Sequence, residues 1–538
     1  MAIRPAHPQP RPLSDLGPLL GVRLASVGDS FSPNELGCVC GVTLDSRGVR
    51  PGDLYVALPG TRVHGAAFCA EAVAAGAAAV LTDPDGRSRA AASGVPVFVV
   101  ADPRARLGEV ACWVYGNPSS RLRLIGVTGT SGKTTSTYLL ESGLRAAGHL
   151  TGLIGGVETR IGADRLVSSL TTPEAPDLQA LFAVMAERGV TAAAMEVSSH
   201  SLALGRVAGT SFDVAVFTNL SQDHLDFHGD LEEYFRAKAS LFLPPERGAL
   251  GGASPRASTV TGVVNIDDKY GRRLASAGAV PVTTFSAAGK PEADWRAVDV
   301  RSGVDGSTFR VIGPGGVEAD VSSPLAGPFN VANALGAVVA LVEVGAGLED
   351  AVAGIAACPG VPGRLERVAA PGLDITALVD YSHKPGAVEA VLRSLRPVTR
   401  GSLIIVLGCG GDRDRAKRPM MGAAAASLAD VAILTSDNPR SEDPLAILAA
   451  MLDGVLSVPQ ATRARVIVEP DRAAAIWQAV SMAAPGDVIV VAGKGHETGQ
   501  YVAGRVLPFD DRQVTADALE RVAKDQPPPG PDPWAVDR

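Results

Sequence analysis

The segment Leu124–Ser136, which reads LIGVTGTSGKTTS, constrains the fold of this chain more than any other stretch. It begins with β-forming residues, carries glycine at every third position, and leads into the apolar-periodic segment Tyr138–Leu144. An apolar run, a glycine-rich turn and a helical period predict a strand, a tight loop and a helix in that order. The fold is therefore expected to contain a parallel α/β sheet.

The loop between this strand and helix has the chemistry of a phosphate site. Backbone N–H groups of a glycine-rich turn can surround a phosphate, and the helix N-terminus adds a favourable dipole. Lys133 can reach the β- and γ-phosphates of a nucleotide, and the Thr134 hydroxyl can bind Mg²⁺. Val127 occupies the first glycine position of the strict pattern, so a glycine-rich turn with a chance lysine is the alternative. The flanking strand and helix favour a nucleoside triphosphate, and the residues predicted to bind it are Gly129, Thr130, Ser131, Gly132, Lys133, Thr134 and Thr135.

Charge and composition exclude several classes of partner. The 538 residues carry a net charge of −8 and contain no basic block, so nucleic acid and anionic membranes are not expected partners. The longest uncharged run, Val321–Val342, is interrupted by prolines and asparagines, which argues against membrane insertion. The first residues lack an apolar signal region, and the six cysteines form no disulfide framework. A cytoplasmic monomer is expected.

The chain is too long for one hydrophobic core, and its apolar runs predict an α/β architecture of three domains. Residues 1–122 form a small α/β N-terminal domain, and 123–361 form a central P-loop ATPase-like parallel sheet. Residues 362–538 contain five further strand candidates separated by helical stretches, which predicts a C-terminal Rossmann-like domain.

Three segments are predicted to lie outside these packed domains. Residues 1–13 and 525–538 are rich in proline and are predicted to be disordered. The insert 247–262 is rich in glycine and serine and is predicted to be a surface loop.

Polar residues follow the apolar runs of the central region. Glu196 ends one run, and a carboxylate at a strand end beside a phosphate loop suits Mg²⁺, whereas a helix-capping or solvent-facing acid is the alternative. His224 and Lys238 flank a helical segment whose other face is apolar. They therefore differ from the acids between them, for which a solvated charged loop is the expectation.

The C-terminal clusters are rich in cations and suit an anionic second substrate. Arg440 follows Asp437 and Asn438, so one short loop offers both a carboxylate and a guanidinium. Such a pair can bind an amino acid through its ammonium and carboxylate groups. A surface salt-bridge loop is the alternative for this segment.

Nine motifs together resemble the Mur ligases of peptidoglycan synthesis. They occur in the order of that family, between about Val42 and Arg512, and they are GTSGKTT, TTPEAPD, MEVSSHSL, FTNLSQDHLDFHG, GPFNVANAL, DYSHKP, GCGGDRDRAKRP, SDNPR and GKGHE. The resemblance is strongest to members that add diaminopimelate. It implies a three-domain enzyme of the family's architecture.

The resemblance also implies a reaction and its small-molecule partners. ATP would phosphorylate the free side-chain carboxylate in UDP-N-acetylmuramoyl-L-alanyl-D-glutamate, and an amine of diaminopimelate would then displace the phosphate. Lys133, Glu196, His224 and Lys238 match the family's catalytic residues. Lys238 matches a carbamylated lysine (N6-carboxylysine), which would bind Mg²⁺ together with Thr134, Glu196 and His224.

Other site residues are implied by the same motifs. Asn330, Arg364 and Asp380 would address ATP. The UDP-muramoyl-dipeptide would be bound by Leu44, Ser46, Thr61, Arg62, Val63, Thr171, Thr172, Ser198 and Arg206. Diaminopimelate would be bound by Arg413, Asp437, Asn438, Pro439, Arg440, Gly493 and Glu497. The chain departs from the family pattern at Ser131, His64 and Leu204.

Three alternatives stay open. Folylpolyglutamate synthase shares the acyl-phosphate route, but it lacks a uridine-binding first domain of this kind. A lysine-adding Mur ligase is expected to differ at Asp437–Arg440. A non-catalytic nucleotide-binding module has no use for Lys133, Glu196, His224 and Lys238 together.

Overall fold

The computed structural model describes residues 3–22, 36–243 and 260–527. Nearly all of the predicted surface loop 247–262 and most of the predicted C-terminal tail lie outside the described residues. The chain divides into two compact units. The first unit comprises Met1–Val298, Arg310–Val321 and Ala332–Ala357, and the second comprises Asp299–Phe309, Ser322–Val331 and Cys358–Arg538.

The N-terminal part of the first unit is a small α/β layer. Four parallel strands lie in the order β3-β4-β5-β6, and the short apolar runs DLYVAL, AAVLT and VPVFVV contain the last three of them. Its strands are β1 (Arg11–Pro12), β2 (Cys38–Val39), β3 (Gly41–Thr43), β4 (Asp53–Ala57), β5 (Ala79–Thr82) and β6 (Val97–Val99). Its helices are α1 (Leu16–Leu20), α2 (Cys69–Ala74), α3 (Arg87–Ala91) and α4 (Pro103–Val114).

The structure differs from the prediction of disorder for residues 1–13, of which it describes 3–13. The Arg4 guanidinium donates to the Tyr115 hydroxyl at 2.5 Å and forms an ion pair with Asp53. The backbone N–H of Ala6 donates to Glu187 at 2.8 Å. Leu13 is fully buried. Proline content alone did not reveal these partners, because they lie 49 to 181 positions away in the sequence.

The central sheet of the chain has eleven strands in the order β10-β9-β8-β11-β7-β12-β13-β14-β15-β16-β17. The strands are β7 (Arg123–Thr128), β8 (Thr151–Ile154), β9 (Glu158–Ile161), β10 (Asp164–Val167), β11 (Ala192–Glu196), β12 (Val214–Phe217), β13 (Thr261–Asn265), β14 (Val282–Ser286), β15 (Trp295–Gly303), β16 (Gly306–Ile312) and β17 (Glu318–Ser323). The helices are α5 (Lys133–Ala146), α6 (Ala175–Glu187), α7 (Ser199–Ala203), α8 (Leu225–His228), α9 (Leu231–Ala239), α10 (Lys269–Ser276), α11 (Pro328–Glu343) and α12 (Leu348–Ala356).

The middle of this sheet sets the position of the phosphate loop. Strand β7 pairs in parallel with β11 on one side and with β12 on the other. The register places Glu196 opposite Val127 and Phe217 opposite Thr128. All three strands therefore end at one edge, which is where ligands bind in open α/β sheets.

The second unit contains a six-stranded sheet in the order β18-β19-β23-β20-β21-β22 and a separate hairpin, β24-β25. The five strand candidates are confirmed as β19 to β23. The strands are β18 (Glu366–Val368), β19 (Thr376–Asp380), β20 (Leu403–Leu407), β21 (Val431–Leu434), β22 (Arg465–Val468), β23 (Val488–Ala492), β24 (Gly499–Val502) and β25 (Arg505–Pro508). The helices are α13 (Pro385–Leu395), α14 (Lys417–Leu428), α15 (Pro444–Ser457), α16 (Arg472–Met482) and α17 (Asp511–Ala523).

A fully buried ion pair joins two strand ends of the second unit. The Arg472 guanidinium donates to both carboxylate oxygens of Asp511 at 2.7 Å. It also donates to the carbonyl oxygens of Ser436, beyond β21, and Ala492, at the end of β23. A buried charge is stable only when it is paired and hydrogen-bonded, and both conditions are met here.

Within the described part of the chain, every helix is too short or too polar to cross a bilayer.

Candidate active site

The phosphate loop adopts a conformation that depends on glycine. It connects β7 to α5, and Gly132 precedes the helix with a φ of +89°. A Cβ atom at Gly132 would collide with the Asn333 side chain, and one at Gly129 would collide with Thr218. The loop is therefore packed tightly against its surroundings, and its backbone shape cannot relax easily.

Two residues that follow β12 hold this loop in place. The Thr218 hydroxyl donates to the Ser131 carbonyl oxygen at 2.7 Å. The Asn219 side-chain oxygen accepts the Ser131 N–H at 3.0 Å. Both contacts use the backbone of Ser131, so this departure from the family pattern leaves the anchoring of the loop intact.

Two lysines converge on a single carbonyl oxygen of the loop. The Lys133 Nζ and the Lys238 Nζ each donate to the Gly129 oxygen at 2.8 Å. Lys238 is only 1% exposed, and its Nζ lies 4.6 Å from the centre of the Tyr234 ring. Two ammonium groups that donate to one carbonyl oxygen lie close together and repel each other.

Glu196 is a carboxylate in contact with the first turn of α5 and is 2% exposed. Its Oε1 accepts the Thr134 hydroxyl at 3.1 Å and the Gly156 N–H at 2.9 Å. Two of the four residues predicted to bind Mg²⁺ are therefore in direct contact.

The oxygen atoms of Thr134 and Glu196 fit a hard divalent cation. Within residues 3–22, 36–243 and 260–527, no group of three or more His, Cys, Asp or Glu side chains is arranged to hold a metal. Mg²⁺ commonly binds through one or two carboxylates together with substrate phosphates, and this donor set suits that mode.

His224 belongs to a cluster of rings beside α9. Its backbone has a φ of +51°, and its Nε2 lies 3.2 Å from Asp223. Its ring centre lies 4.9 Å from that of His200, which in turn contacts Phe227 and His228. His200 and His228 were not predicted, although both lie within the motifs already recognised. Burial lowers the pKa of both histidines, so both favour the neutral form.

Three residues predicted to bind the muramoyl-dipeptide lie together next to Glu196. The Thr172 hydroxyl donates to the Glu196 carbonyl oxygen at 2.9 Å and accepts the Ser198 N–H at 3.2 Å. Arg206 donates to the Thr172 carbonyl oxygen and forms an ion pair with Glu174 at 2.9 Å. Thr171 lies beside Gly156, and Leu204 follows α7.

The residues predicted to bind the uridine end follow neighbouring strands of the small sheet. Leu44 and Ser46 come after β3, and Thr61–Val63 come after β4, which is parallel to β3. Both sets therefore lie toward the same edge. Thr61, Arg62 and Val63 are exposed, whereas Ser46 is buried and donates to Glu71 at 3.3 Å.

His64 performs the local role of an aspartate. Its Nδ1 accepts the Ala66 N–H at 3.0 Å, which caps a short 3₁₀ helix, Gly65–Phe68. Because Nδ1 is the acceptor, Nε2 carries the proton and lies 3.0 Å from Asp83. The departure at this position therefore preserves the turn that carries Thr61–Val63.

In the second unit, two of the predicted ATP-binding residues lie near one strand end. Asp380 ends β19 and accepts the N–H groups of Leu365 and Ser382 at 2.8 Å. The Arg364 guanidinium lies 4.5 Å from the centre of the Tyr381 ring. Asn330 lies at the start of α11 and donates to the Ala326 carbonyl oxygen.

The residues predicted to bind diaminopimelate gather at the ends of β21 and β23. The Asn438 amide donates to Glu497 at 2.8 Å, and a Cβ at Gly493 would lie 2.5 Å from Asp437. Pro439 connects Asn438 to Arg440, whose backbone has a φ of +55°. Arg440 and Arg413 both pack against Gly410, with Arg440 half-buried and Arg413 exposed.

These features combine an α/β fold with a glycine-rich loop of the phosphate-binding type, a carboxylate beside that loop, and a second sheet that carries the residues predicted to bind an amino acid. Three family models match the chain: the Mur ligase family catalytic domain over residues 39–115, the Mur ligase middle domain over 127–341, and the Mur ligase glutamate ligase domain over 363–495.

Individual relatives agree with these models over almost the whole chain. The UDP-N-acetylmuramoyl-L-alanyl-D-glutamate–2,6-diaminopimelate ligase of Streptomyces avermitilis is 59% identical over 96% of this chain and 98% of its own. The UDP-N-acetylmuramyl-tripeptide synthetase of Leifsonia xyli is 44% identical over 96% and 98%. A solved diaminopimelate ligase is 32% identical, with a TM-score of 0.67 over 94% of this chain and 98% of its own. The chain belongs to the Mur ligase family, which confirms the predicted family and architecture.

We expect Gly132→Ala to weaken ATP binding by at least about tenfold, because the new methyl group must displace Asn333 and because alanine is strained at a positive φ by about 1–2 kcal/mol. Calorimetric titration with a non-hydrolysable ATP analogue measures the affinity. Gly148→Ala is the matched control, since Gly148 also has a positive φ, +83°, but open space around it. Equal affinities for both variants would contradict the packed-loop interpretation.

Proposed function

We propose that this chain is an ATP-dependent amide-bond ligase that adds diaminopimelate to UDP-N-acetylmuramoyl-L-alanyl-D-glutamate in peptidoglycan precursor synthesis. The observation that carries the proposal is the identity to the Streptomyces avermitilis diaminopimelate ligase, which extends over nearly the whole chain. The Leifsonia xyli relative bears a name that leaves the added amino acid open, so the choice of amino acid needs its own test.

The first half of the reaction forms an acyl phosphate. A side-chain carboxylate oxygen of D-glutamate attacks the γ-phosphorus of ATP, the bond to the bridging oxygen breaks, and ADP leaves. Loop N–H groups and Lys133 stabilise the charge that develops on the transferring phosphoryl group. Thr134 and Glu196, with His224 and Lys238, would hold Mg²⁺, which when bound neutralises phosphate charge.

The second half forms the amide. A neutral amine of diaminopimelate attacks the acyl carbon, a tetrahedral intermediate forms, and phosphate leaves as the amide is completed. The amine gives up one proton in the process. Thr172, Ser198 and Arg206 lie next to Glu196, so we assign them the task of holding the dipeptide end near the phosphate loop.

We assign Lys238 the role of a carbamylated residue. Its neutral amine would attack CO₂ and lose one proton, which gives a carbamate anion. Burial of the side chain and the shared Gly129 oxygen support this assignment, because a second ammonium beside Lys133 is unfavourable. A carbamate would instead pair with Lys133 and supply oxygen donors to Mg²⁺.

We propose that the enzyme acts in the cytoplasm, where ATP is available. We also propose that it is a monomer. Its substrates are then small molecules only. Three alternative functions are tested against this proposal: a lysine-adding ligase, a folylpolyglutamate synthase-like ligase and a non-catalytic nucleotide-binding module.

Release of phosphate from ATP that depends on an amine tests the proposal directly. The assay supplies UDP-N-acetylmuramoyl-L-alanyl-D-glutamate or a folate as acceptor and diaminopimelate, lysine or glutamate as amine. We expect turnover only with the uridine-linked acceptor and diaminopimelate. Preference for lysine or use of the folate would replace the proposal with another ligase, and ATP binding without release would indicate a binding module.

We expect Lys238→Ala to be nearly inactive and added short-chain carboxylates such as acetate to restore part of the activity. A small carboxylate can occupy the vacated space and replace the carbamate oxygens. Steady-state rates with and without acetate measure the effect. Lys269→Ala, which removes an exposed lysine on α10, is the control. It should keep wild-type activity both with and without acetate. Full activity of Lys238→Ala in CO₂-depleted buffer would exclude the carbamate.

Arg440→Ala should raise the KM for diaminopimelate and narrow the preference over lysine. Diaminopimelate has a second carboxylate, which a guanidinium binds through two parallel hydrogen bonds, whereas lysine would leave the Arg440 guanidinium without a carboxylate partner. Arg440 is half-buried, so we expect a loss of discrimination of about tenfold or more rather than the full cost of a buried charge.

Steady-state kinetics with both amino acids measure this change, and Arg393→Ala removes an exposed arginine as the control. The KM for ATP should change less than the KM for diaminopimelate, because Arg440 is not among the residues proposed to bind ATP. A variant that keeps its full preference for diaminopimelate would show that the SDNPR loop does not select the amino acid.

A further inference from the structure

Lys494 is a fully buried lysine in the GKGHE segment, with 0% of its side chain exposed. Its Nζ donates to the Asn438 side-chain oxygen at 3.0 Å, to Glu497 Oε2 at 3.2 Å and to the Gly499 carbonyl oxygen at 2.6 Å. An ammonium group has three N–H donors, and all three are used. The charge is therefore buried, paired and fully hydrogen-bonded.

The three acceptors belong to three different segments that surround the predicted amino-acid pocket. Asn438 lies in the SDNPR loop, Glu497 lies in the GKGHE segment, and Gly499 begins the β24-β25 hairpin. A buried lysine that only filled space in the core would have no reason to join these segments. Its contacts connect the parts of the second unit that carry pocket residues.

Lys494 also determines which way the Asn438 amide points. An ammonium can meet only the oxygen end of that amide, and the same oxygen accepts the Tyr501 N–H at 3.0 Å. The nitrogen end must then face Glu497, to which it donates at 2.8 Å. A reversed amide would set N–H groups against the Lys494 ammonium and the Tyr501 N–H, so only one orientation is stable.

The same ammonium partly neutralises Glu497. The Oε2 atom of Glu497 receives one donor from Lys494 and one from Asn438, while about a third of its side chain is exposed. The two donors thereby hold this partly exposed carboxylate in one orientation. An ammonium group of an incoming amino acid would meet an acceptor whose position and charge are already set.

We propose that Lys494 is a positioning residue for the amino-acid substrate, because it fixes the Asn438 amide and the Glu497 carboxylate in the orientation that binds diaminopimelate. The inference rests on the proposed function of this pocket. Lys494 need not touch the substrate, and its contribution is to remove the rotational freedom of two residues that do.

The test compares Lys494→Met with wild type in the diaminopimelate-dependent phosphate-release assay. Methionine has a similar length and is apolar, so it fills the site without the charge. We expect the KM for diaminopimelate to rise about tenfold or more, with kcat and the KM for ATP within about threefold of wild type. Lys524→Met is the control, because Lys524 is exposed and pairs only locally with Glu520.

A double-mutant cycle with Asn438→Ala separates positioning from a general structural role. If Lys494 acts through Asn438, the two substitutions together should raise the KM for diaminopimelate little more than the larger single effect. Independent, multiplicative effects would overturn the inference. Lys494→Gln, which provides an amide N–H donor without the charge, is measured beside Lys494→Met. If Lys494→Met does not fold, Lys494→Gln is compared with wild type in its place.

The outcomes distinguish this inference from the proposed function. A wild-type enzyme without diaminopimelate-dependent turnover would refute the proposed function. An active wild type with an unchanged KM for diaminopimelate in the folded Lys494 variants would refute only the positioning role. A fall in kcat and in melting temperature, together with a rise in both KM values, would show that Lys494 only supports the fold. That result would also refute the positioning role.

Discussion

The parallel pairing of β7 with β11 and β12 is the constraint on which the proposed active site of the first unit depends. Its register sets Glu196 opposite Val127 and Phe217 opposite Thr128, so three strands end at one edge. A slip of one residue would turn every side chain of a strand to the other face of the sheet. The contact between Glu196 and Thr134 would then be lost, and the residues after β12 could no longer anchor the loop.

The loop itself concentrates positive charge in a small volume. Lys133, Lys238 and the N-terminus of α5 all lie around the Gly129–Gly132 turn. Such an arrangement favours the binding of phosphate groups, and a carbamate on Lys238 would add a negative charge to it. The same charges therefore support both the nucleotide site and the modification of Lys238 that we propose.

The sequence predicted those parts of the fold that local pattern controls. Buried parallel strands such as β11 and β20 are short apolar runs, and glycine-rich turns are visible directly. Pattern could not predict β24-β25, whose residues are largely exposed, or the packing of residues 3–13, whose partners are distant. Among site residues, the capping role of His64 was hidden, because only the structure shows that its Nδ1 accepts the Ala66 N–H.

The burial of Arg472 and Lys494 could not be predicted from pattern either, and it shows how the proposed pocket differs from the phosphate loop. The loop is shaped by sheet register and by glycines, whereas the proposed pocket lies on short segments outside the six-stranded sheet, joined by a bridge between Arg440 and Val502. Arg472 ties the ends of β21 and β23 through Ser436 and Ala492, and Lys494 ties the segments beyond them. Removing one partner of a buried pair is costly, since it leaves the other charge uncompensated. The irregular backbone here can therefore hold donors and acceptors in defined positions, because each segment is hydrogen-bonded to a buried cation, Arg472 or Lys494.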